Sequence, residues 1–373
     1  MMNKVSKTIV LLPGDGIGPE VIGAAVAVLQ ACAAEFGHRF TQEEFPIGGI
    51  AIDRTGSPLP AETLSACRKA DAVLLGAVGG PRWDALPIGK RPESGLLAIR
   101  QELGLYINLR PIQLRKPLRE ISPLKSERAG HIDFEIVREL AGGIYFGEHG
   151  TEGRNGGERA FDVESYTTGE IERIAEYAFA RAERRGRRLA SVDKANILST
   201  SALWRRTVAR LGAAYPEVRL EHFYVDNAAM QIVLAPEQFD VMVTSNMFGD
   251  ILSDAGAALV GSIGLIPSMS CGAAGPPLFE PIHGSAPQLA GRDAACPIGA
   301  ILCAAMMLRE SFGLEAEAGW IESALDRTLA AGYRTADIAG RDSTIVGCSQ
   351  FTSHLREEMR QLAGQLEPYG WGV

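Results

Sequence analysis

No two of the six cysteines, Cys32, Cys67, Cys271, Cys296, Cys303 and Cys348, form a C-x-x-C pair. The spacing that dithiol redox sites use is therefore missing, and the apolar surroundings of these residues point to reduced, buried thiols in a cytoplasmic protein. No uninterrupted apolar run reaches the roughly 18–20 residues that cross a bilayer. The opening Met1-Met2-Asn3-Lys4-Val5-Ser6-Lys7 leads into a strand-like run without the h-region and cleavage site of a signal peptide. Positive charge is not in excess: the net charge of −8 argues against nucleic acid as the main partner. There is no short internal repeat and no low-complexity tract. With 46% hydrophobic and 22% charged residues, the composition is that of a soluble globular enzyme or binding protein. The length of 373 residues suggests about two domains.

The pattern that remains is strand, glycine turn, helix. Thr8 to Leu12 is a short apolar strand. The turn Pro13-Gly14-Asp15-Gly16-Ile17-Gly18-Pro19-Glu20 follows, with Pro19 placed for the first turn of a helix that runs to about Phe36. A second buried strand, Ala72 to Leu75, precedes Gly76-Ala77-Val78-Gly79-Gly80-Pro81. Later apolar runs, Ala190 to Val192, Phe223 to Val225 and Val241 to Val243, repeat the scheme, and helices are expected from Ile298 to Phe312 and around Trp320 to Ala331. This alternation indicates an α/β fold with a largely parallel sheet. The polar, glycine-rich stretch Gly147 to Glu158 interrupts it and reads as an exposed excursion or hairpin arm. Gly14-x-Gly16-x-Gly18 is not a G-x-G-x-x-G fingerprint, because the third glycine comes one residue early. It fits a tight strand-to-helix turn equally well.

Chemistry is most concentrated in Asn246-Met247-Phe248-Gly249-Asp250-Ile251-Leu252-Ser253-Asp254, behind the apolar Val241-Met242-Val243-Thr244. If Asp250 opens a helix, its carboxylate and that of Asp254 share one face of the first turn. Two carboxylates without a neighbouring Cys or His suit a hard divalent cation such as Mg²⁺ or Mn²⁺; an ordinary polar helix start fits the same spacing. Arg100, Arg110 and Arg138 recur in an apolar setting, Arg110 and Arg138 each ending an apolar stretch, where a charge is costly unless it is partnered. Three such forks could hold a substrate with two carboxylates, or form three separate structural ion pairs. Lys194 follows an apolar run and is a candidate base, Tyr145 a proton relay, and Asp226 a third metal oxygen. Each of these three also reads as an ordinary polar residue at a strand end; their shared placement there favours a site, because open α/β sheets bind ligands at the carboxyl ends of strands.

At these motifs the chain resembles the 3-isopropylmalate dehydrogenases of the isocitrate/isopropylmalate dehydrogenase family. The resemblance covers nearly the whole sequence. It rests on Leu12 to Glu20, Asn108-Leu109-Arg110-Pro111, Val137 to Gly147, Asp193-Lys194-Ala195-Asn196, Asn246 to Asp254, and Glu280-Pro281-Ile282-His283-Gly284-Ser285-Ala286-Pro287. It implies a two-domain, non-Rossmann α/β fold and a homodimer. One domain would join residues 1–105 to 261–373 and carry the cofactor; the other, 106–260, would carry substrate, metal and a dimerisation arm near 147–168. By the same likeness Arg100, Arg110 and Arg138 bind the substrate carboxylates. Asp250 and Asp254 hold Mg²⁺ or Mn²⁺ together with Asp226 of the partner chain, which also touches substrate. Lys194 of the partner is the base, and Tyr145 the proton donor. The Glu-x-x-Leu-Leu pattern of Glu93, Leu96 and Leu97 matches enzymes whose leucines meet an alkyl branch, although helix packing would also account for the leucines.

The cofactor loop departs from the family pattern. His283, Gly284, Ser285, Ala286 and Pro287 match, but Gln288 stands where an aspartate usually accepts hydrogen bonds from the adenosine ribose, and Cys296 replaces an amide. NAD is the expected cofactor, with NADP left open because Gln288 carries no charge to repel a 2′-phosphate and Arg292 lies close. The expected activity is oxidative decarboxylation of 3-isopropylmalate in leucine biosynthesis. The alternatives are another 3-substituted malate or tartrate/malate as substrate, and a non-catalytic regulatory subunit.

Overall fold

In a computed structural model the protein divides into two compact units, residues 1–104, 115–122 and 260–373, and residues 105–114 and 123–259. Residues 4–154 and 156–366 are described. Met1 to Asn3 of the lead-in and Asn155 of the Gly147–Glu158 excursion lie outside them. The sequence boundaries placed 115–122 in the second domain, whereas this segment belongs to the first unit. Its 3₁₀ turn, Lys116–Ile121, packs on the helix Glu315–Ala330. Arg115 reaches Asp326 at 2.7 Å, and Arg334 donates to the Pro117 carbonyl at 2.9 Å.

The first unit orders its strands Arg39–Glu44, Ser6–Gly14, Ala72–Ala77, Leu278–Pro281, Pro267–Cys271. The first four run parallel and the last is antiparallel to its neighbour. Ala72–Ala77 is buried along its whole length, as expected of a strand covered on both faces. Gly18–Phe36 is long and apolar enough to cross a membrane by composition alone, but it turns Val21, Ile22, Ala25, Val28, Leu29 and Cys32 into the core. It packs there against Ile298–Phe312, a helix apolar on every side from Ile298 to Leu308 and buried over that span.

The glycine turn is bound to the chain itself. The Ile17 N–H donates to the Ser285 carbonyl at 2.8 Å, and Glu20 accepts from the Gly291 N–H at 2.6 Å. Gly16 has φ +58°, and a Cβ there would stand 1.9 Å from the Ser285 oxygen. The buried Asp15 takes three backbone N–H groups, from Gly49, Ile50 and Gly79, while burial raises its pKa. The turn therefore braces the loop that begins at His283.

The second unit orders Ile107–Gln113, Asp133–Glu139, Val241–Thr244, Arg188–Asp193, Arg219–Tyr224. The last four are parallel; Ile107–Gln113 is antiparallel to Asp133–Glu139. Two sequence boundaries change here. Val225, read as the end of a strand, opens the helix Val225–Leu234, so Asp226 sits in its first turn. Asp250 does not open its helix: Asn246–Leu259 begins one turn earlier, directly after the strand. The excursion forms an antiparallel hairpin, His149–Arg154 with Gly157–Asp162.

Candidate active site

Strand periodicity creates the first half of the second unit's cluster. Asn108 and Arg110 share a strand face, and Asn108 lies directly opposite Arg138 in the antiparallel register. The helix Asn246–Leu259 approaches that face so closely that a Cβ on Gly249 would stand 2.7 Å from the Arg138 Cβ. Only a glycine lets the backbone come so near. Helical spacing then brings Asp250, Ser253 and Asp254 to the two arginines.

The resulting contacts converge on one carboxylate. Asp250 Oδ1 pairs with Arg138 Nη1 and lies 3.4 Å from Arg110 Nη1, while the Tyr145 hydroxyl donates to Oδ2 at 3.0 Å. Arg110 Nε donates to Asn108 at 2.7 Å and Nη1 to the Ser253 hydroxyl at 2.6 Å, with Asp254 at 3.8 Å. Both arginines are buried, so their charges sit in a medium where pairing matters more than in water. Arg110 and Arg138 are therefore coupled through Asp250, not held in separate ion pairs. Asp254 is more open, and burial of its carboxyl together with the neighbouring Asp250 raises its pKa. Burial and the Asp250 carboxylate raise that of Tyr145, which keeps its phenol protonated at neutral pH.

Lys194 and Asp226 form a second focus. The turn after Arg188–Asp193 is fixed by the buried Asp193, which accepts from the Ala195 N–H at 2.9 Å and takes the Arg205 fork at 2.8 and 2.9 Å. Lys194 Nζ then reaches Asp226 Oδ1 at 2.6 Å, and this hydrogen bond lowers the Asp226 pKa. Within one chain Asp226 does not join Asp250 and Asp254: among the described residues no group of three or more His, Cys, Asp or Glu side chains could hold a metal.

The first unit holds the remaining expected residues. Glu93, Leu96, Leu97 and Arg100 lie on the helix Pro92–Glu102, with both leucines half-buried. Arg100 is buried and donates to Glu280 at 2.5 Å. In the loop, Gly284, Pro287 and Gln288 are exposed, Ser285 is buried, and Ala286 adopts φ +37°. Cys296 is buried, and burial pushes its thiol pKa up.

The residues present fit both expected ligands. Asp250 and Asp254 supply only oxygen donors, one turn apart, and already attract two guanidinium groups and a phenol. This is the chemistry a hard cation requires. His283 is buried and held neutral by burial, with Nδ1 2.9 Å from the Gly284 carbonyl. Its Nε2 has no hydrogen-bond partner among the described residues, an orphan that a polar ligand would satisfy.

A profile described as isocitrate/isopropylmalate dehydrogenase matches residues 8–355. The chain belongs to the isocitrate/isopropylmalate dehydrogenase family. It is 54% identical over 337 residues to the 3-isopropylmalate dehydrogenase of Bacillus licheniformis, covering 90% of this chain and 91% of the relative. With that of Geobacillus kaustophilus it shares 55% over 349 residues, covering 93% and 94%. The solved isocitrate dehydrogenase of Methylococcus capsulatus superposes with TM-score 0.84 at 33% identity, covering 95% of this chain and all of that one. The apo beta-decarboxylating dehydrogenase of Thermococcus kodakarensis gives TM-score 0.80 at 36% identity, covering 98% and 99%.

Family membership makes the chain a decarboxylating dehydrogenase with the two-domain α/β fold expected from its motifs. Sequence reasoning left Asn246, Glu139 and Tyr166 without roles, although all three surround the Arg138–Tyr145 segment. A signal was present for Glu139, a second charge directly after Arg138 where the strand Asp133–Glu139 ends.

Proposed function

We propose that the protein converts 3-isopropylmalate to 4-methyl-2-oxopentanoate in leucine biosynthesis, using NAD and Mg²⁺ or Mn²⁺, as a cytoplasmic homodimer. The observation that carries this reading is the Asp250 cluster, two buried arginine forks and the Tyr145 hydroxyl gathered on one carboxylate. Identities of 54% and 55% to two enzymes named 3-isopropylmalate dehydrogenase support the choice of substrate.

In this reading Arg110 and Arg138, with Arg100, exchange their protein carboxylates for those of the malate. Leu96 and Leu97 meet the isopropyl branch beside Glu93. Asp250 and Asp254, with Asp226 of a second copy, would hold the cation, which would supply Lewis-acid polarisation of the substrate oxygens. The loop His283 to Gln288, with Cys296, would hold NAD, which would supply a hydride acceptor for C2. Lys194 of the second copy removes the C2 hydroxyl proton. Loss of CO₂ from the resulting β-keto acid leaves an enolate, and Tyr145 protonates its carbon. Exposed apolar side chains support the dimer: Met230, Val233 and Leu234 on one helix of the second unit and Ile251 on its neighbour.

The test is NADH formation by the purified protein with Mn²⁺ across 3-isopropylmalate, isocitrate, tartrate and malate. The kcat/KM for 3-isopropylmalate should lead by about 100-fold. Preference for another acid would overturn the substrate, and silence with all four the activity. Mn²⁺ at about 100 times its Kd should add about 2.7 kcal/mol of thermal stability, and Asp254→Ala should abolish that gain.

A further inference from the structure

Asn246 is almost fully buried, at 1% exposure, and its side chain faces two kinds of partner. Oδ1 accepts from Arg138 Nε at 3.0 Å and Nη2 at 2.8 Å. Nδ2 donates to the Gly142 carbonyl at 3.0 Å and the Leu140 carbonyl at 3.4 Å. The amide orientation is dictated by chemistry: a guanidinium offers only donors and a carbonyl only lone pairs. The Asn246 backbone N–H donates to the buried Tyr166 hydroxyl at 2.9 Å.

The turn from Leu140 to Tyr145 is held from its N–H side as well. Glu139, fully buried, accepts from the Ala141 N–H at 3.1 Å and the Gly142 N–H at 2.8 Å, and Arg173 partners it at 3.3 Å. Tyr166 closes the other side: a Cβ on Gly143 would stand 2.4 Å from its hydroxyl oxygen. One amide thus touches both the fork of Arg138 and the turn that carries Tyr145. It occupies Nε and Nη2 and leaves Nη1 to Asp250.

We propose that Asn246 is a positioning residue that couples the carboxylate-binding fork of Arg138 to the turn presenting the Tyr145 hydroxyl. The proposal rests on the roles given above to Arg138 and Tyr145. Arg138 and Tyr145 also meet at Asp250, but the amide is the contact that ties the fork to the backbone of the turn. An aspartate of the same shape would oppose the two carbonyl oxygens and neutralise the arginine.

The experiment compares wild type, Asn246→Asp and Tyr166→Phe as full-length protein, each also in a Tyr145→Phe background. Measured are kcat and KM with 3-isopropylmalate, its Kd by calorimetry, and amide exchange over residues 140–147. For Asn246→Asp, KM and Kd should rise about tenfold and kcat fall about tenfold, with faster exchange in the turn. In the Tyr145→Phe background its effect on kcat should shrink below about twofold. Tyr166→Phe should lower kcat with little change in KM, and serves if Asn246→Asp does not fold. A full, additive kcat loss on the Tyr145→Phe background, or unchanged exchange in the turn, overturns the coupling. Absence of turnover by wild type defeats the functional reading instead, and exchange then still decides the coupling.

Discussion

Lys194 Nζ lies 2.6 Å from Asp226 Oδ1, yet among the described residues Asp226 does not complete a metal-sized group with Asp250 and Asp254. In the proposed mechanism Lys194 is the base and Asp226 a third oxygen ligand, and their separation from the carboxylates they would assist makes sense if each chain lends them to another copy. An isologous pair of chains would build two such sites.

Complementation checks this directly. Lys194→Ala and Asp250→Asn should each be inactive alone. Co-expressed, half of the dimers pair one of each chain, and each of those holds one site with no substitution and one with both. Activity should return to about a quarter of wild type. No recovery above the parents, with mixed dimers verified by mass, would show that each chain works with its own Lys194.

Much of the architecture was readable because its carriers are local. The span Ile298–Phe312 follows from an apolar stretch with Pro297 before it and Gly313 after it. The pairs that make the site were readable as spacings, such as Asp250 with Asp254. Boundaries failed where two signals compete: Val225 is β-branched and continues an apolar run, but the residues after it favour a helix, and the helix wins. The start at Asn246 was missed because a single residue, Ser245, separates strand from helix, and its carbonyl already accepts from the Gly249 N–H. The coupling network could not be read at all. Tyr166 is 80 residues from Asn246 in the chain, and only the folded sheet brings them together.

The glycine turn supplies a stability test with a functional consequence. Gly16→Ala places a side chain at φ +58° and 1.9 Å from the Ser285 carbonyl oxygen, a backbone atom that cannot swing aside. The variant should lose about 2 kcal/mol or more of unfolding free energy. Because the displaced oxygen belongs to the loop following His283, the KM for NAD should rise more than that for 3-isopropylmalate. Urea unfolding and initial rates with each substrate varied measure both. Wild-type stability together with an unchanged KM for NAD would mean that the turn does not brace the loop.

Gln288 is exposed beside the left-handed Ala286, with Arg292 a few residues further on. A neutral amide can accept from a ribose hydroxyl but offers no charge to repel a 2′-phosphate. Gln288→Asp adds that repulsion and a stronger acceptor together. The ratio of kcat/KM for NAD over NADP should increase about tenfold, equivalent to about 1.4 kcal/mol. Arg292→Ala should move the ratio the same way by removing a cation that tolerates phosphate. The effect should weaken in high salt if it is electrostatic, because exposed charges are screened. A ratio unmoved by Gln288→Asp at low salt would place cofactor choice elsewhere in the loop.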